Sequence, residues 1–446
     1  MPPAQDSQAY TSADPFIDAH CHLFNIVDVP LYESIAGLID MGTIKNLLAG
    51  FFAGAAIVSR ELPEALKKQR NFLRFFERDI TENIGWLDRE LKNAVHFDNK
   101  INKALKDYGY RNNRIIITPL VMDFDSNRLE TEIGRDCLCT DQVRRLFHAI
   151  EDAGVSTEIY PFAGFALDKL NVDNTEFEAF KEWWHDNSLD AEDRAKGRLT
   201  PLRSGKVIGI KLYPPLGFSP IPTDEGARKR YVAFFKWCVD NDIPITVHCQ
   251  ESSYSGAKGD SIDRINRLTN PKNWEQLFKE HPELHGLRIN FGHFGGSGEL
   301  GKMMKGINPN ITSQTLNDSW SLTICRLLSN YPNTYADISA FKFEEEDDRK
   351  GLAKLIGGSM TLYKDTWITN LEAIQNKIMW GSDVPMVLAS PSFLDGNGKP
   401  SYASLLEKFY NCLLINDPFG STNQAMSCRA FNKVTRSNPS EFLFGH

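Results

Sequence analysis

Eight short apolar segments, separated by longer segments with helical periodicity, constrain the fold of this chain more than any other feature. Each is rich in Ile, Val, Phe or Tyr and mostly continuous rather than alternating, which is typical of strands buried on both faces. The predicted strands are Phe16–His22, Arg114–Met122, Glu158–Phe165, Val207–Tyr213, Pro244–His248, Leu287–His293, Thr334–Ile338 and Lys377–Asp383. The helical segments between them include Asp141–Ala153, Thr175–Asn187, Thr223–Asn241, Asn273–Lys279 and Asp318–Asn330.

An alternation of strands and helices implies a parallel sheet with helical crossovers. Eight such strands in a chain of 446 residues predict an α/β fold of the closed (β/α)8, or TIM-barrel, type. No Gly-rich phosphate loop follows an early strand, which disfavours a dinucleotide-binding fold.

The segment Leu23–Asn113, between the first two predicted strands, is much longer than an ordinary loop. Its periodicity predicts helices at Thr43–Ser59, Pro63–Phe76, Ile84–Asn93 and Asn99–Tyr108. Because it leaves the carboxyl end of the first strand, it would form a cap over the barrel mouth, although a contact between subunits accounts for it equally well. We therefore predict one barrel domain over residues 14–446, including this helical insertion at 23–113, after a polar extension at 1–13.

Charge and composition argue against several classes of partner. The 50 basic and 58 acidic residues give a net charge of −8, without a basic stripe that would bind nucleic acid or an anionic membrane. The longest apolar run, Leu47–Val58, is shorter than the ~20 residues that span a bilayer.

The N-terminus lacks the layout of a signal peptide. The cysteines lack the spacing of a disulfide scaffold, and we interpret Cys137 and Cys139 as ordinary thiols. Because free thiols are typical of proteins in a reducing compartment, we expect a cytoplasmic protein.

Polar side chains stand at the carboxyl ends of the predicted strands, where barrel enzymes place their chemistry. Asp18, His20 and His22 alternate along the first strand and are predicted to share one face. The two histidines could hold a metal ion from one side, but this spacing is a weak signal by itself. Further predicted strands end at or beside Lys211, His248, His293 and Asp383. Convergence of these groups at one rim predicts a site, and a lysine there is costly unless it is paired or modified.

These segments resemble the amidohydrolase superfamily, and within it the amidohydrolase-related branch that includes aminocarboxymuconate semialdehyde decarboxylase. The resemblance runs from about Pro15 to Phe444 and rests on IDAHCHLF, GIKLYPPLGFSP, ITVHC, INFGHFGG, YPNTYADIS and IMWGSDVP, in the family's order. It implies a metal-dependent enzyme on a TIM barrel and leads us to expect a homodimer. The insertion Leu23–Asn113 has no counterpart in the resemblance.

The resemblance also implies a ligand set. One divalent metal would be held by His20, His22, His248 and Asp383. Neutral imidazoles and a carboxylate suit Zn²⁺, with Mn²⁺ or Fe²⁺ as alternatives.

A two-metal version of the family would add a carboxylated Lys211 bridging the ions and His293 beside His248 on the second ion. We favour one ion, with Lys211 as a cationic substrate anchor and His293 as an acid, base or electrophile. Asp383 could take a proton from the metal-activated water and pass it to a leaving group. Asp18 and Ser382 are predicted to orient the imidazoles.

Hydrolysis of a small-molecule amide, lactone or cyclic amide is the leading functional hypothesis, with Asp383, His293 and Lys211 as catalytic residues. The alternative is non-oxidative decarboxylation of an aromatic or unsaturated carboxylic acid, favoured by basic groups at the mouth such as Lys211 and Arg203. A non-catalytic metal- or ligand-binding barrel is the alternative from another class, and the loss of a ligand residue would favour it. The substrate itself is not predictable from loop composition.

Overall fold

The computed structural model describes residues 14–23, 75, 78–96, 100–107, 114–124, 139–251, 261–296, 298–306, 319–357, 371–415 and 424–445. The strands within them are β1 (Phe16–Cys21), β2 (Ile115–Pro119), β3 (Glu158–Ile159), β4 (Phe162–Gly164), β5 (Gly209–Leu212), β6 (Ile245–Gln250), β7 (Ile289–Gly295), β8 (Thr334–Asp337) and β9 (Ile378–Met379). All recorded strand pairs are parallel. Every predicted strand is therefore confirmed, with small differences at the ends.

The helices of the described residues are α1 (Ile80–His96), α2 (Lys100–Asp107), α3 (Cys139–Ala153), α4 (Thr175–Asn187), α5 (Ala191–Lys196), α6 (Glu225–Asp240), α7 (Ile262–Thr269), α8 (Lys272–Glu280), α9 (Glu299–Gly306), α10 (Trp320–Asn330), α11 (Glu346–Gly357), α12 (Leu371–Gln375), α13 (Tyr402–Ile415), α14 (Gln424–Asn432) and α15 (Asn438–Phe444). They cover the predicted helices between the later strands.

Strands β3 and β4 act as one strand interrupted at Pro161, which has no N–H to donate. Tyr160 N donates to Ile117 O at 3.1 Å before the interruption, and Val121 N donates to Phe162 O at 3.0 Å after it. Both halves therefore follow β2, and β4 continues the sheet to β5. Counted in this way, the sheet has eight strands.

Backbone hydrogen bonds between the first and last strands close this sheet. Ala19 N donates to Trp380 O at 3.0 Å, and Asp383 N donates to His20 O at 2.7 Å. Residues 380–384 continue β9 alongside β1 in the same parallel sense, ending with a bond from His22 N to Val384 O at 2.6 Å. The predicted (β/α)8 barrel is thereby confirmed.

Apolar side chains fill the amino-terminal part of the barrel interior. Ile17, Ile116 and Met379 pack there with Phe442 of α15, and Arg288, just before β7, donates to the Phe442 carbonyl at 3.1 Å. Alternate strand residues face outward into the larger core beneath the helices. Because the amino end is filled with apolar groups, polar chemistry is left to the carboxyl ends of the strands.

The described part of the long insertion belongs to the outer helical layer. Helix α1 packs between α3 and α13, and Asp88 accepts hydrogen bonds from Thr157 N at 3.2 Å and Thr157 Oγ1 at 2.7 Å, just before β3. Helices α1 and α2 cover the predicted Ile84–Asn93 and Asn99–Tyr108. The predicted helix Thr43–Ser59, the apolar run inside it and most of Pro63–Phe76 lie outside the described residues, so the cap stays a prediction.

Two further sequence expectations concern membranes and thiols. None of the described helices is both long and apolar enough to cross a membrane. The described cysteines are buried free thiols, and Cys137 lies outside the described residues.

Candidate metal centre

A β-bulge in β1 decides which of its polar side chains face the barrel interior. Between Asp18 and Cys21, β1 contains one more residue than the paired segment of β2, so the side-chain alternation shifts there. Asp18 faces the outer layer, where its carboxylate accepts a hydrogen bond from the Tyr402 hydroxyl of α13 at 2.8 Å. His20 and His22 lie side by side, with ring centroids 5.4 Å apart. The prediction that Asp18 shares their face is therefore wrong.

Each of the two imidazoles is oriented by a hydrogen bond at Nδ1. His20 Nδ1 lies 2.8 Å from Asp337 Oδ2, and His22 Nδ1 lies 2.9 Å from Leu120 O. Carboxylate and carbonyl oxygens only accept, so Nδ1 carries the hydrogen in both rings. Both Nε2 atoms then face Asp383 Oδ1, at 3.6 Å from His20 and 3.4 Å from His22.

His20, His22 and Asp383, which we call the candidate metal cluster, bring their ligand atoms within 4.8 Å of one another. His20 Nε2 is buried and has no hydrogen-bond partner among the described residues. Burial lowers the pKa of His20 to about 3, so its Nε2 presents a lone pair. Lone pairs turned toward a carboxylate repel it unless a cation lies between them. The donors fit a divalent metal ion, because two neutral imidazoles and a carboxylate are a common ligand set.

Backbone shape and close packing hold these groups in place. Asp383 has φ 58° and His293 has φ 66°, a left-handed conformation that costs non-glycine residues about 1–3 kcal/mol and is concentrated at functional sites. Glycines make room for the His20 side chain. A Cβ at Gly381 would lie 2.6 Å from His20 Cβ, and one at Gly292 would lie 2.9 Å from His20 Cε1.

The charges around the cluster are buried and of both signs. Burial alone would raise the pKa of Asp383, but its interactions with His22, His293 and His20 lower it overall, so this carboxylate is ionised. Lys211 is 1% exposed, and its Nζ has no hydrogen-bond partner among the described residues. Burial lowers the pKa of Lys211 to about 8, against the opposing attraction of Asp337 and Asp383. Lys211 is thus a buried cation at neutral pH.

His248 and His293 form a second group at the same rim. His293 Nε2 lies 2.9 Å from His248 Nδ1, and the ring of Tyr213 meets the ring of His248 edge-on, with centroids 4.6 Å apart. His248 is not part of the candidate metal cluster, because its ring nitrogens do not lie within 4.8 Å of all three ligand atoms. The roles of His248 as a ligand and of His293 as an acid or base therefore stay predictions.

Asp337, at the end of β8, is the site residue that sequence reasoning missed. Its Oδ2 accepts from His20 Nδ1 and from Asn290 Nδ2 at 2.7 Å. Its Oδ1 accepts from the backbone N–H of His293 at 3.1 Å and from both the N–H, at 3.0 Å, and the hydroxyl of Ser339. Burial opposes ionisation, but His20 and these donors hold the pKa of Asp337 well below its usual range. The sequence feature that could have identified Asp337 is its position near the end of the predicted strand Thr334–Ile338, within YPNTYADIS.

Three further predicted residues lie elsewhere than expected. Asp18 Oδ1 accepts from the backbone N–H of Ser382 at 2.9 Å and of His20 at 3.3 Å, so it ties the first and last strands together and does not touch an imidazole. Burial raises the pKa of Asp18 to about 6. Ser382 Oγ accepts from Val384 N at 3.2 Å and thus shapes the turn. Arg203 is exposed before the amino end of β5, so its predicted place at the mouth is wrong.

Comparison with known proteins gives matches of two kinds. The Amidohydrolase family model matches residues 184–398, which include Lys211, His248, His293, Asp337 and Asp383. Among solved structures, Amidohydrolase 2 from Bifidobacterium longum subsp. infantis is 12% identical, with 94% of this chain and 99% of that chain covered and a TM-score of 0.34.

Two other solved structures are similar at the same level. An amidohydrolase from Burkholderia multivorans with bound Zn is 12% identical over 94% of this chain and 99% of its own, with a TM-score of 0.35. Dihydroorotase from Saccharomyces cerevisiae, in complex with 5-fluoroorotic acid, is 10% identical over 98% of this chain and 85% of its own, with a TM-score of 0.37. No curated protein gives a significant match.

Proposed function

We propose that this chain, whose residues 184–398 match the Amidohydrolase family model, is a member of the amidohydrolase superfamily and a metal-dependent hydrolase of small-molecule amides, lactones or cyclic amides. One observation carries this proposal: the Nε2 atoms of His20 and His22 both face Asp383 Oδ1, at 3.6 and 3.4 Å. Buried groups that present lone pairs to one another need a cation between them. Hydrolysis is the reaction that these ligands most simply support.

We propose that one divalent ion, Zn²⁺ by the chemistry of its ligands, is held by His20, His22 and Asp383, with His248 as the fourth ligand. When bound, such an ion acts as a Lewis acid that lowers the pKa of water and polarises a carbonyl. The remaining chemistry belongs to the side chains. Mn²⁺ and Fe²⁺ suit the same donors.

Asp383 is the proposed general base. Its carboxylate is ionised and buried, so it can accept a proton from water and return it to the leaving nitrogen or oxygen. His293 lies at the same rim, close enough to influence the pKa of Asp383, and is the proposed acid, base or electrophile. Lys211 supplies a buried positive charge that can bind an anionic substrate group or the negative charge that develops during attack.

Metal analysis of purified protein tests this assignment. We expect about one zinc per chain in the wild type and a loss of metal in His20→Ala. The matched control is His185→Ala, because His185 is 88% exposed and lies on α4. If His20→Ala binds as much metal as the control, the assignment of the site is wrong. A wild type with two ions, one of them lost in Lys211→Ala, would favour the two-metal alternative.

A specific observation favours a second candidate, the decarboxylase. The Nζ of Lys211 is buried and lacks a hydrogen-bond partner among the described residues, so a substrate carboxylate would satisfy it well. Release of carbon dioxide from carboxylated aromatic compounds would support this lyase, whereas turnover of lactones or amides without it would support the hydrolase. A protein that binds metal but turns over neither class would be a non-catalytic barrel.

A further inference from the structure

A chain of hydrogen bonds links the carboxylate of Asp337 to two histidines through a serine. Ser339 Oγ donates to Asp337 Oδ1, His293 Nδ1 lies 2.9 Å from Ser339 Oγ, and His293 Nε2 lies 2.9 Å from His248 Nδ1. Asp337, Ser339 and His293 are each at most 5% exposed. Solvent therefore has little access to these bonds.

The direction of every bond in this chain follows from the carboxylate at its end. Asp337 Oδ1 only accepts, so the single hydrogen of the Ser339 hydroxyl points to it. Ser339 Oγ must then accept from His293, which places the hydrogen of His293 on Nδ1. A neutral imidazole carries one hydrogen, so with that of His293 on Nδ1 its Nε2 accepts from His248 Nδ1–H.

The last ring in this chain of hydrogen bonds, His248, is the one proposed to bind the metal ion. With its hydrogen on Nδ1, neutral His248 carries its lone pair on Nε2, the atom through which it could bind an ion. We propose that Ser339 is a positioning residue that fixes His293 and His248 in the Nδ1–H tautomer and so keeps His248 able to bind metal. This inference rests on the proposed metal site, because it gives Ser339 a role only through a histidine ligand.

In this arrangement Asp337 determines the hydrogen positions of several histidine rings at the rim. It accepts directly from His20 Nδ1 at 2.8 Å and, through Ser339, determines the hydrogen positions of two more rings. Hydrogen-bond partners of this kind fix the tautomer and raise the basicity of histidine ligands. Ser339 needs no contact with metal or substrate to act in this way.

Removal of the hydroxyl tests the tautomers directly. In metal-free protein labelled at the histidine ring nitrogens, solid-state NMR distinguishes Nδ1–H from Nε2–H, and His248→Asn and His293→Asn variants identify the two rings. We expect Nδ1–H for both in the wild type and in Ser339→Thr. In Ser339→Ala, His293 loses its acceptor, so both rings should change together to Nε2–H. Retention of both Nδ1–H tautomers in Ser339→Ala would overturn the proposal.

Zinc affinity, measured by competition with a chromophoric chelator, is the second readout. We expect Ser339→Ala to bind zinc about 10–100-fold more weakly, whereas Ser339→Thr stays close to the wild type. Thr435→Ala is the matched control, since its buried hydroxyl donates only to the Phe431 carbonyl at 2.8 Å. Wild-type affinity in Ser339→Ala would refute the link to metal.

The two readouts separate this proposal from the proposed function. If the tautomers change as expected but the wild type binds no zinc, the metal site is wrong while the effect of Ser339 on the rings stands. If zinc binds and the tautomers do not change, the role of Ser339 is wrong and the metal site stands.

Discussion

Replacing Lys211 with methionine should stabilise the metal-free protein. Burial lowers the pKa of Lys211 from 10.5 to about 8, even though two carboxylates attract its charge. One pKa unit corresponds to about 1.4 kcal/mol, so the buried ammonium opposes folding by roughly 3 kcal/mol at neutral pH. Methionine keeps an unbranched apolar chain of similar volume and removes the charge. An increase of up to about 3 kcal/mol in the free energy of unfolding is therefore the expected upper bound.

The dependence of this difference on pH follows from the same pKa. Below pH 8, Lys211 is protonated in both the folded and the unfolded chain, so the opposing contribution is fully present. Between pH 8 and 10.5 the unfolded chain holds the proton more tightly, so wild-type stability gains on the variant as pH rises through this window. The difference between the two proteins should therefore shrink toward zero.

Urea unfolding of chelator-treated protein, followed by tryptophan fluorescence, measures the difference at about pH 7 and again at about pH 10. Lys229→Met is the matched control, because Lys229 is 76% exposed and its removal should change stability little. A Lys211→Met variant that is less stable than wild type at neutral pH would refute the reasoning. It would show that Lys211 already has a stabilising anionic partner.

Three further predictions concern packing and hydrogen bonds. Gly381→Ala places a Cβ 2.6 Å from His20 Cβ; it should destabilise the fold by about 1–3 kcal/mol and reduce bound zinc, and an unchanged melting temperature with full zinc would contradict this. Asp337→Asn should weaken zinc binding about 10–100-fold in a chelator competition, because His20 Nδ1 loses its charged acceptor; wild-type affinity would show that the acceptor is dispensable. Asp88→Ala removes both hydrogen bonds to Thr157 and should cost about 1–3 kcal/mol in urea unfolding, without changing zinc content.

The barrel could be predicted from the sequence because strands buried on both faces consist of continuous apolar residues. Continuous runs such as Val207–Tyr213 are apolar on both faces, and helices of ordinary length separate the later strands. The same reasoning placed His20, His22, Lys211, His248, His293 and Asp383 at the strand ends. These are properties of single segments, so one sequence suffices to predict them.

The errors concern contacts between segments. Alternation along β1 predicted a common face for Asp18 and the histidines, but the bulge that separates them arises from pairing with β2. Asp337 was missed because an aspartate at a strand end gains its role only from the histidine and serine that donate to it. Arg203 was misplaced although it precedes the predicted strand Val207–Tyr213, whose amino end lies at the base of the barrel and not at the mouth.

The closure of the barrel between β1 and the segment after β9 has a consequence for synthesis. Two candidate ligands come from the first strand and one from the last, and Asp18 binds the backbone of Ser382 across 364 positions of sequence. A ribosome releases the chain from its amino end, so His20 and His22 emerge long before Asp383 can meet them. The site is therefore among the last features to form, and a chain cut short before residue 383 carries the histidines without the carboxylate that completes the cluster.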